Sequence, residues 1–386
     1  MVASNIAIVG AGVAGLTAAL ALAKQGHSVS LFESASAWAD VGAGITLAPN
    51  AMRGLDYVGV GAAVADAGIE PTSQEVSHWR TGERIMAVDR SKTREQYDAA
   101  YVYIHRADLH QILVAACEAA GVKIFLGKRA ETVTTEGDTC TIAFVDGSEA
   151  VVDLVIGADG LKSAIRQLFD PKPPHFTGHV AYRALAPATP EIQHLIDNPG
   201  MHIGPGKMIV RYPLRKGNLL NLVFFAREEG WEEDGWSIPA DINELQERYS
   251  DWCPEVQTLL SVIKPGTVFK WAINAHSPLP GWTKSGRITV IGDAAHAMTP
   301  FLGQGAATGI EDAVMLARAL ADAKDTEEAL ARYQAARFER TTFIQAESNA
   351  NADRLQGDEA ENYGLGNLRN EETLGLFAYD CTTEPV

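Results

Sequence analysis

Cysteine is scarce in this 386-residue chain: four residues, at 117, 140, 253 and 381, stand too far apart for C-x-x-C spacing and are too few to staple a protein of this length. That excludes a disulfide scaffold and a paired-cysteine zinc or redox centre, and points to the reducing cytoplasm. The ten histidines are scattered without H-x-H or H-E-x-x-H spacing, so no metal centre is expected and His296 reads as a hydrogen-bonded structural residue. Basic residues are also few. Lysine plus arginine total 32 against 49 acidic residues, a net charge of −17, and such a surface repels phosphate backbones and anionic lipid, so neither a nucleic acid nor a membrane is an expected partner. Long apolar runs are missing as well: residues 6–23 are the one stretch resembling a membrane or signal segment, but no basic region precedes them and three glycines punctuate their first half.

What is present is enough apolar material, 46% of residues, to fill the cores of about two domains at roughly 150 residues each. Residues 5–9 form a short apolar strand, followed by Gly10-Ala-Gly12-Val13-Ala14-Gly15 and an alanine- and leucine-rich helix over 16–24. A second strand over 28–32 ends at Glu33. In this β-turn-α unit Gly10 permits a tight turn, Gly12 lets the backbone approach a pyrophosphate, and Gly15 lets helix and strand pack closely, while Glu33 is placed to accept hydrogen bonds from a ribose. Strand, turn, helix and acidic residue together predict a dinucleotide site.

Two further glycine-aspartate motifs follow apolar strands: Gly157-Ala-Asp159-Gly160 with Ser163 and Arg166, and Gly292-Asp293 leading to Pro300 and Gly303-Gln304-Gly305. Between them, residues 180–186, 208–213, 219–226 and 268–274 read as strands without regular intervening helices. Residues 139–145 and 149–156 read as an antiparallel pair about the Asp146-Gly147 turn. Helices are expected over 51–67, 106–120 and 305–320. The fold class is therefore α/β, a discontinuous Rossmann-like domain (1–70, 100–178 and 285–345) with an inserted, mostly antiparallel sheet region (71–99 and 179–284) and a C-terminal segment, 346–386, polar from about Gly357, that would cross the surface or a neighbouring subunit.

With these three motifs in this order, most of the chain resembles the FAD-dependent aromatic hydroxylases, the single-component flavoprotein monooxygenases. The resemblance implies FAD as cofactor, NADH or NADPH as reductant binding without a domain of its own, and O2 as oxidant, with hydroxylation of an aromatic ring through a flavin C4a-hydroperoxide. It also implies that Asp293 hydrogen-bonds the ribityl chain, that Arg106 reaches the ribityl-phosphate portion, and that Asp159 holds structure near the flavin. The turn Pro300 to Gly305 with Ala306 would aim helix N–H groups at the flavin N1–C2=O edge, where the reduced ring is anionic.

Within that family the salicylate-hydroxylase and 6-hydroxynicotinate-monooxygenase branch is the most similar. Gly42-Ala-Gly44-Ile45 with Pro49-Asn50, His179-Val-Ala-Tyr-Arg183 and Arg211-Tyr212-Pro-Leu-Arg215 carry this likeness. Several such enzymes have histidine where this chain has Phe301, and the hydroxynicotinate enzymes have one where it has Thr46. A small phenol or hydroxypyridine is the expected substrate, and hydroxylation or epoxidation of a larger polycyclic natural product is the alternative. Tyr212 would hydrogen-bond a phenolate, Arg183 or Arg211 would pair a carboxylate, and Thr46, Leu47, Phe224, Pro300 and Phe301 would form the pocket walls. A halogenase would want a W-x-W-x-I-P segment, of which residues 234–239 keep only the second half. The protein is expected to be a monomer or homodimer.

Overall fold

The computed structural model describes residues 4–38, 43–231, 235, 237–365 and 368–386. Strand Asn5–Val9 is buried along almost its whole length, the pattern of a strand covered on both faces. It pairs in parallel with Leu154–Gly157 on one side and Ser28–Phe32 on the other. The sheet continues to Ile288–Val290 beyond the first and Lys123–Phe125 beyond the second, and Thr283–Lys284 adds an antiparallel edge. Helix Val13–Lys24 buries almost every residue, as its uniformly apolar sequence requires, because it packs against both Arg106–Ala119 and Gly305–Asp322.

The 149–156 run does not form one strand. Glu149–Val152 pairs antiparallel with Thr139–Phe144, whereas Leu154–Gly157 crosses into the parallel sheet. The switch falls at Asp153, whose carboxylate accepts from the Ser4 and Asn5 backbone N–H groups at 3.1 and 2.9 Å and so pins the two neighbouring strands together.

The second sheet has eight strands in the order Ile238–Pro239, Phe269–Ala275, His175–Pro187, Leu219–Arg227, Lys207–Leu214, Gly200–Gly204, Ser73–His78 and Arg84–Asp89. It is antiparallel except where Gly200–Gly204 meets Ser73–His78. The expectation of no regular helices between its strands is corrected: Ile242–Arg248 and Pro254–Ser261 lie there. Both are short, seven and eight residues, too little sequence for a helical period to stand out. They cover one face of the sheet, where Phe224, Leu245, Tyr249, Trp252 and Leu259 form a separate core.

Helix Thr326–Leu355 runs without a break through residues 345 and 346. The polar tail beyond it folds back on the same chain. Leu376, Phe377 and Cys381 are buried, and Arg53 Nη1 donates to the carbonyls of Phe377 and Tyr379 at 2.7 and 3.1 Å. Arg318 holds the Cys381 carbonyl at 2.8 Å. Among the described residues no helix is long and apolar enough to cross a membrane.

Candidate active site

The three glycine motifs, up to 300 residues apart in sequence, touch one another. Gly10 has φ +103°, and a Cβ there would lie 2.3 Å from the Ala158 carbonyl oxygen; at Gly15 one would lie 2.0 Å from the Gly10 carbonyl and 3.2 Å from Ala158 Cβ. On the other side, Cβ atoms on Gly292 and Gly309 would meet Ala14 Cβ at 3.0 and 2.9 Å. Close approach of backbone to backbone therefore demands glycine at 10 and 15, while at 292 and 309 the Ala14 side chain leaves little room for a Cβ. Gly12 and Gly305 differ: nothing lies within 4 Å of a Cβ on either. They stand at the starts of Val13–Lys24 and Gly305–Asp322, neither of which has a side chain capping its first turn. Two helix N-termini with unengaged N–H groups thus open onto one cradle, an arrangement that favours anionic groups.

The cradle continues into a cavity of about 500 Å³ floored by the second sheet. Strand register decides which side chains face it. Arg183 pairs with Val223, Val223 with Val210, and Val210 with Met201; Phe225 pairs with Met208, and Met201 with Val76. All seven line the cavity, as cross-strand partners share a face. Tyr212, two residues from Val210, belongs to the same face. Its ring stacks on Tyr103 at 4.6 Å and 19°, and it lies so close to Gly44 that a Cβ there would be 2.3 Å from Tyr212 Cε2. The Tyr212 hydroxyl hydrogen-bonds to no described residue, while Tyr103 Oη accepts from Gln74 Nε2 at 2.6 Å. Burial raises the Tyr101 phenol to about 12 and pushes Tyr103 and Tyr212 well above the usual tyrosine range, so each stays a neutral O–H donor at physiological pH.

This geometry agrees with three comparisons. Residues 3–348 match the family described as FAD binding domain. The chain belongs to that family: it is an FAD-dependent monooxygenase. It is 35% identical over 383 residues to 3-hydroxybenzoate 6-hydroxylase 1 of Aquipseudomonas alcaligenes, covering 98% of this chain and 95% of the relative. It is 34% identical over 397 residues to 6-hydroxynicotinate 3-monooxygenase of Pseudomonas fluorescens, covering 99% and 96%. A solved salicylate hydroxylase substrate complex superposes with TM-score 0.82 at 27% identity, covering 97% of this chain and 95% of that one. FAD, NAD(P)H and O2 are the cofactor and co-substrates of such hydroxylases.

The residues of this monooxygenase fit FAD on independent grounds. Gly12, Val13, Ala14, Gly44, Arg106, Asp293, Pro300, Gly303, Gly305 and Ala306 all line the cradle and cavity. Arg106 is exposed with no described partner, a cation suited to phosphate, and the exposed Asp293 carboxylate accepts from no described residue, as a group awaiting hydroxyl donors would. Gly10 and Gly15 lie beneath the cradle as packing residues. Glu33 sits at the end of its strand, where Oε2 accepts from the Ala11 N–H at 2.8 Å and Oε1 from the Ala35 N–H at 2.8 Å. Asp159 is turned inward: it accepts from the Ser163 hydroxyl and from the Ala164 and Ile165 N–H groups at 2.7 and 3.3 Å, bracing the turn whose Ala158 and Gly160 face the cavity. Gly42 lies outside the described residues, as do residues 234 and 236 of the 234–239 segment.

At the substrate end, Thr46, Tyr212, Pro300 and Phe301 line the cavity, whereas Leu47 and Phe224 do not. Both are fully buried. Phe224 faces the other side of the sheet, its ring 5.3 Å from Tyr249, and Phe225 takes the place expected for it; one residue along a strand inverts the face. Arg211 is among the cavity-lining residues, but the same alternation turns its guanidinium to other partners. It is 1% exposed, and its guanidinium donates to the Leu195 carbonyl at 3.1 Å and to that of Asn198. Arg183 does line the cavity, donating to Ser237 Oγ at 2.6 Å beside the Phe269 and Trp271 rings. Gln74, Arg90, Tyr101, Tyr103, Tyr363 and Glu371 are lining residues that the sequence reading missed. Only parity counted outward from Tyr212 would have found some of the sheet residues, and nothing local marks the tail.

Behind the cradle lies a buried ion network. Asp312 accepts from the Gly292 N–H at 2.9 Å and from Arg337 Nε at 2.8 Å, and lies 2.6 Å from His296 Nε2. Burial alone would raise the Asp312 carboxyl, but its contacts with His296 and Arg337 outweigh that and hold it at about 2. Glu311 pairs with Arg337 and Arg340 at 2.7 and 2.8 Å and accepts from Asn50 at 2.7 Å. The third glycine turn is thereby tied to two helices. Arg166 ties the second turn to the third, donating to the Ala294 and Ala295 carbonyls at 3.1 and 2.8 Å. His202, Cys253 and Glu255 gather on the far side of the second sheet; His202 Nε2 lies 3.1 Å from Glu255, and burial raises the Cys253 thiol, which favours a hydrogen-bonded cluster over thiolate ligation.

Proposed function

We propose that this monooxygenase hydroxylates a single electron-rich aromatic ring, a phenol or hydroxypyridine, seated on the Tyr212 face of the second sheet. When bound in the cradle and reduced by NAD(P)H, FAD supplies the oxygen activation. The chain's own residues do the rest. The N-terminus of Gly305–Asp322 favours negative charge at its first turn, Arg106 and the first turn of Val13–Lys24 hold phosphate, and Asp293 accepts from hydroxyls. Met208, Val210, Val223, Phe225, Pro300 and Phe301 form apolar walls that exclude water from the reacting ring. The observation that carries the reading is the Tyr212 hydroxyl: on a buried, neutral side chain and with no hydrogen-bond partner among the described residues, it is placed to donate to a substrate oxygen and stabilise phenolate character as charge builds on the ring.

The test is ligand-stimulated NAD(P)H oxidation across hydroxylated benzenes and pyridines, followed by product mass. Gain of one oxygen atom supports hydroxylation; oxygen gained with carbon dioxide lost identifies decarboxylative hydroxylation. No stimulation by any such ring would refute the reading. Tyr212→Phe is expected to keep full FAD content but to lose one hydrogen bond to a charged oxygen, worth about 1.5–3 kcal/mol, and so to lower ligand-dependent hydroxylation roughly ten- to hundredfold. Turnover equal to that of the parent enzyme would remove Tyr212 from the site.

A further inference from the structure

The C-terminal tail brings Glu371 and Glu372 to Arg90, the residue following edge strand Arg84–Asp89. Arg90 is held by several partners. Its Nε donates to Gln74 Oε1 at 2.8 Å and its Nη1 to Glu372 at 2.8 Å, while Nη2 lies 3.6 Å from Glu371. The guanidinium also lies 5.1 and 5.0 Å from the ring centres of Tyr101 and Phe377. One positive charge therefore meets two negative ones, so its charge is already matched before any further carboxylate arrives. Gln74 is equally committed, to Arg90 and Tyr103. Of the two tail carboxylates, Glu371 lines the cavity and Glu372 does not; 19% of the Glu371 side chain remains exposed. Asn370 and Tyr363 line the same wall.

A carboxylate at this position is an acceptor that repels another carboxylate and welcomes an O–H or N–H. Resting on the hydroxylase reading above, we propose that Glu371 sets the substrate class: it accepts a hydrogen bond from a hydroxyl, amino or ring N–H group of a neutral aromatic, and disfavours rings that carry a carboxylate. Burial raises the Glu371 carboxyl while Arg90 opposes the rise, so its acceptor character is strongest toward neutral and alkaline pH.

The test uses the FAD-loaded enzyme and matched pairs of rings, catechol against 2,3-dihydroxybenzoate and 2-hydroxypyridine against 6-hydroxynicotinate, with affinities read from the flavin absorbance change. The neutral member is expected to bind at least about tenfold tighter, a difference of about 1.4 kcal/mol. Glu371→Gln should move that ratio at least about tenfold toward the acid. Glu372→Gln removes an Arg90 partner that does not face the cavity and should leave the ratio where it was, which separates recognition from mere loosening of the tail. Tighter binding of the acid by the parent enzyme, or equal shifts in both variants, would overturn the proposal. If the enzyme takes up FAD but neither member of any pair alters its spectrum or its NAD(P)H oxidation, the hydroxylase reading fails with it; if it responds to the acids alone, only the Glu371 proposal fails.

Discussion

Gly12→Asp is expected to yield a folded, colourless protein. The position opens onto the cradle with nothing within 4 Å of a Cβ, and its backbone, φ −72° and ψ −179°, is one that any residue adopts at a helix N-cap. Aspartate is among the best residues there, so the apo protein should melt at the same temperature or slightly higher, by a few tenths of a kcal/mol in stability. The same carboxylate would occupy the first turn's N–H groups and repel the pyrophosphate. FAD affinity should fall at least about a hundredfold, or about 2.7 kcal/mol, measured by flavin fluorescence on titrating apoprotein. Gly15→Ala makes the contrast, because its Cβ would sit 2.0 Å from the Gly10 carbonyl and should cost stability as well as FAD. A yellow Gly12→Asp protein with parental affinity would place the dinucleotide elsewhere.

Asp312→Asn is expected to cost the most stability, about 3–5 kcal/mol, as for removal of one member of a buried ion pair. Arg337 and the Asp312 side chain are both fully buried, so the lost charge leaves Arg337 with Glu311 as its one carboxylate partner among the described residues. The pH dependence has a definite sign. The folded-state carboxyl is held at about 2, below the unfolded value of about 3.9, so its contribution is present above pH about 4 and is lost as the pH falls toward 2. The variant should lack that part of the parent's acid sensitivity. Urea denaturation of apo and FAD-loaded protein at pH 7, and of apoprotein between pH 4 and pH 2, measures both effects, and a loss at pH 7 under about 1 kcal/mol would show that the network is not held by charge.

The motifs legible in the sequence were those built from contiguous residues. Gly10 to Gly15, Gly157 to Gly160 and Gly292 to Gly305 each declare a local conformation, strand then tight turn then helix, and the side chain that glycine lacks is itself the signal. The same holds for the buried parallel strands, whose unbroken apolar runs require cover on both faces. The substrate end was less legible because a strand's two faces differ by one residue. Tyr212 faces the cavity, yet the guanidinium of Arg211 beside it points to the carbonyls of Leu195 and Asn198, and Phe225 rather than Phe224 faces the cavity. Helices Ile242–Arg248 and Pro254–Ser261 decide that parity by covering the other face, and they are too short to announce themselves.

Local chemistry thus specified a dinucleotide-binding chain and which turns form its cradle, because glycine turns and helix starts carry their geometry within a few residues. The folded chain alone settled which side chains line the cavity. Arg90 meets Glu372 across 282 positions of sequence, and Asn50 meets Glu311 across 261. Such pairings follow from the path of the tail and from sheet register, and neither leaves a periodic trace in the residues that make them.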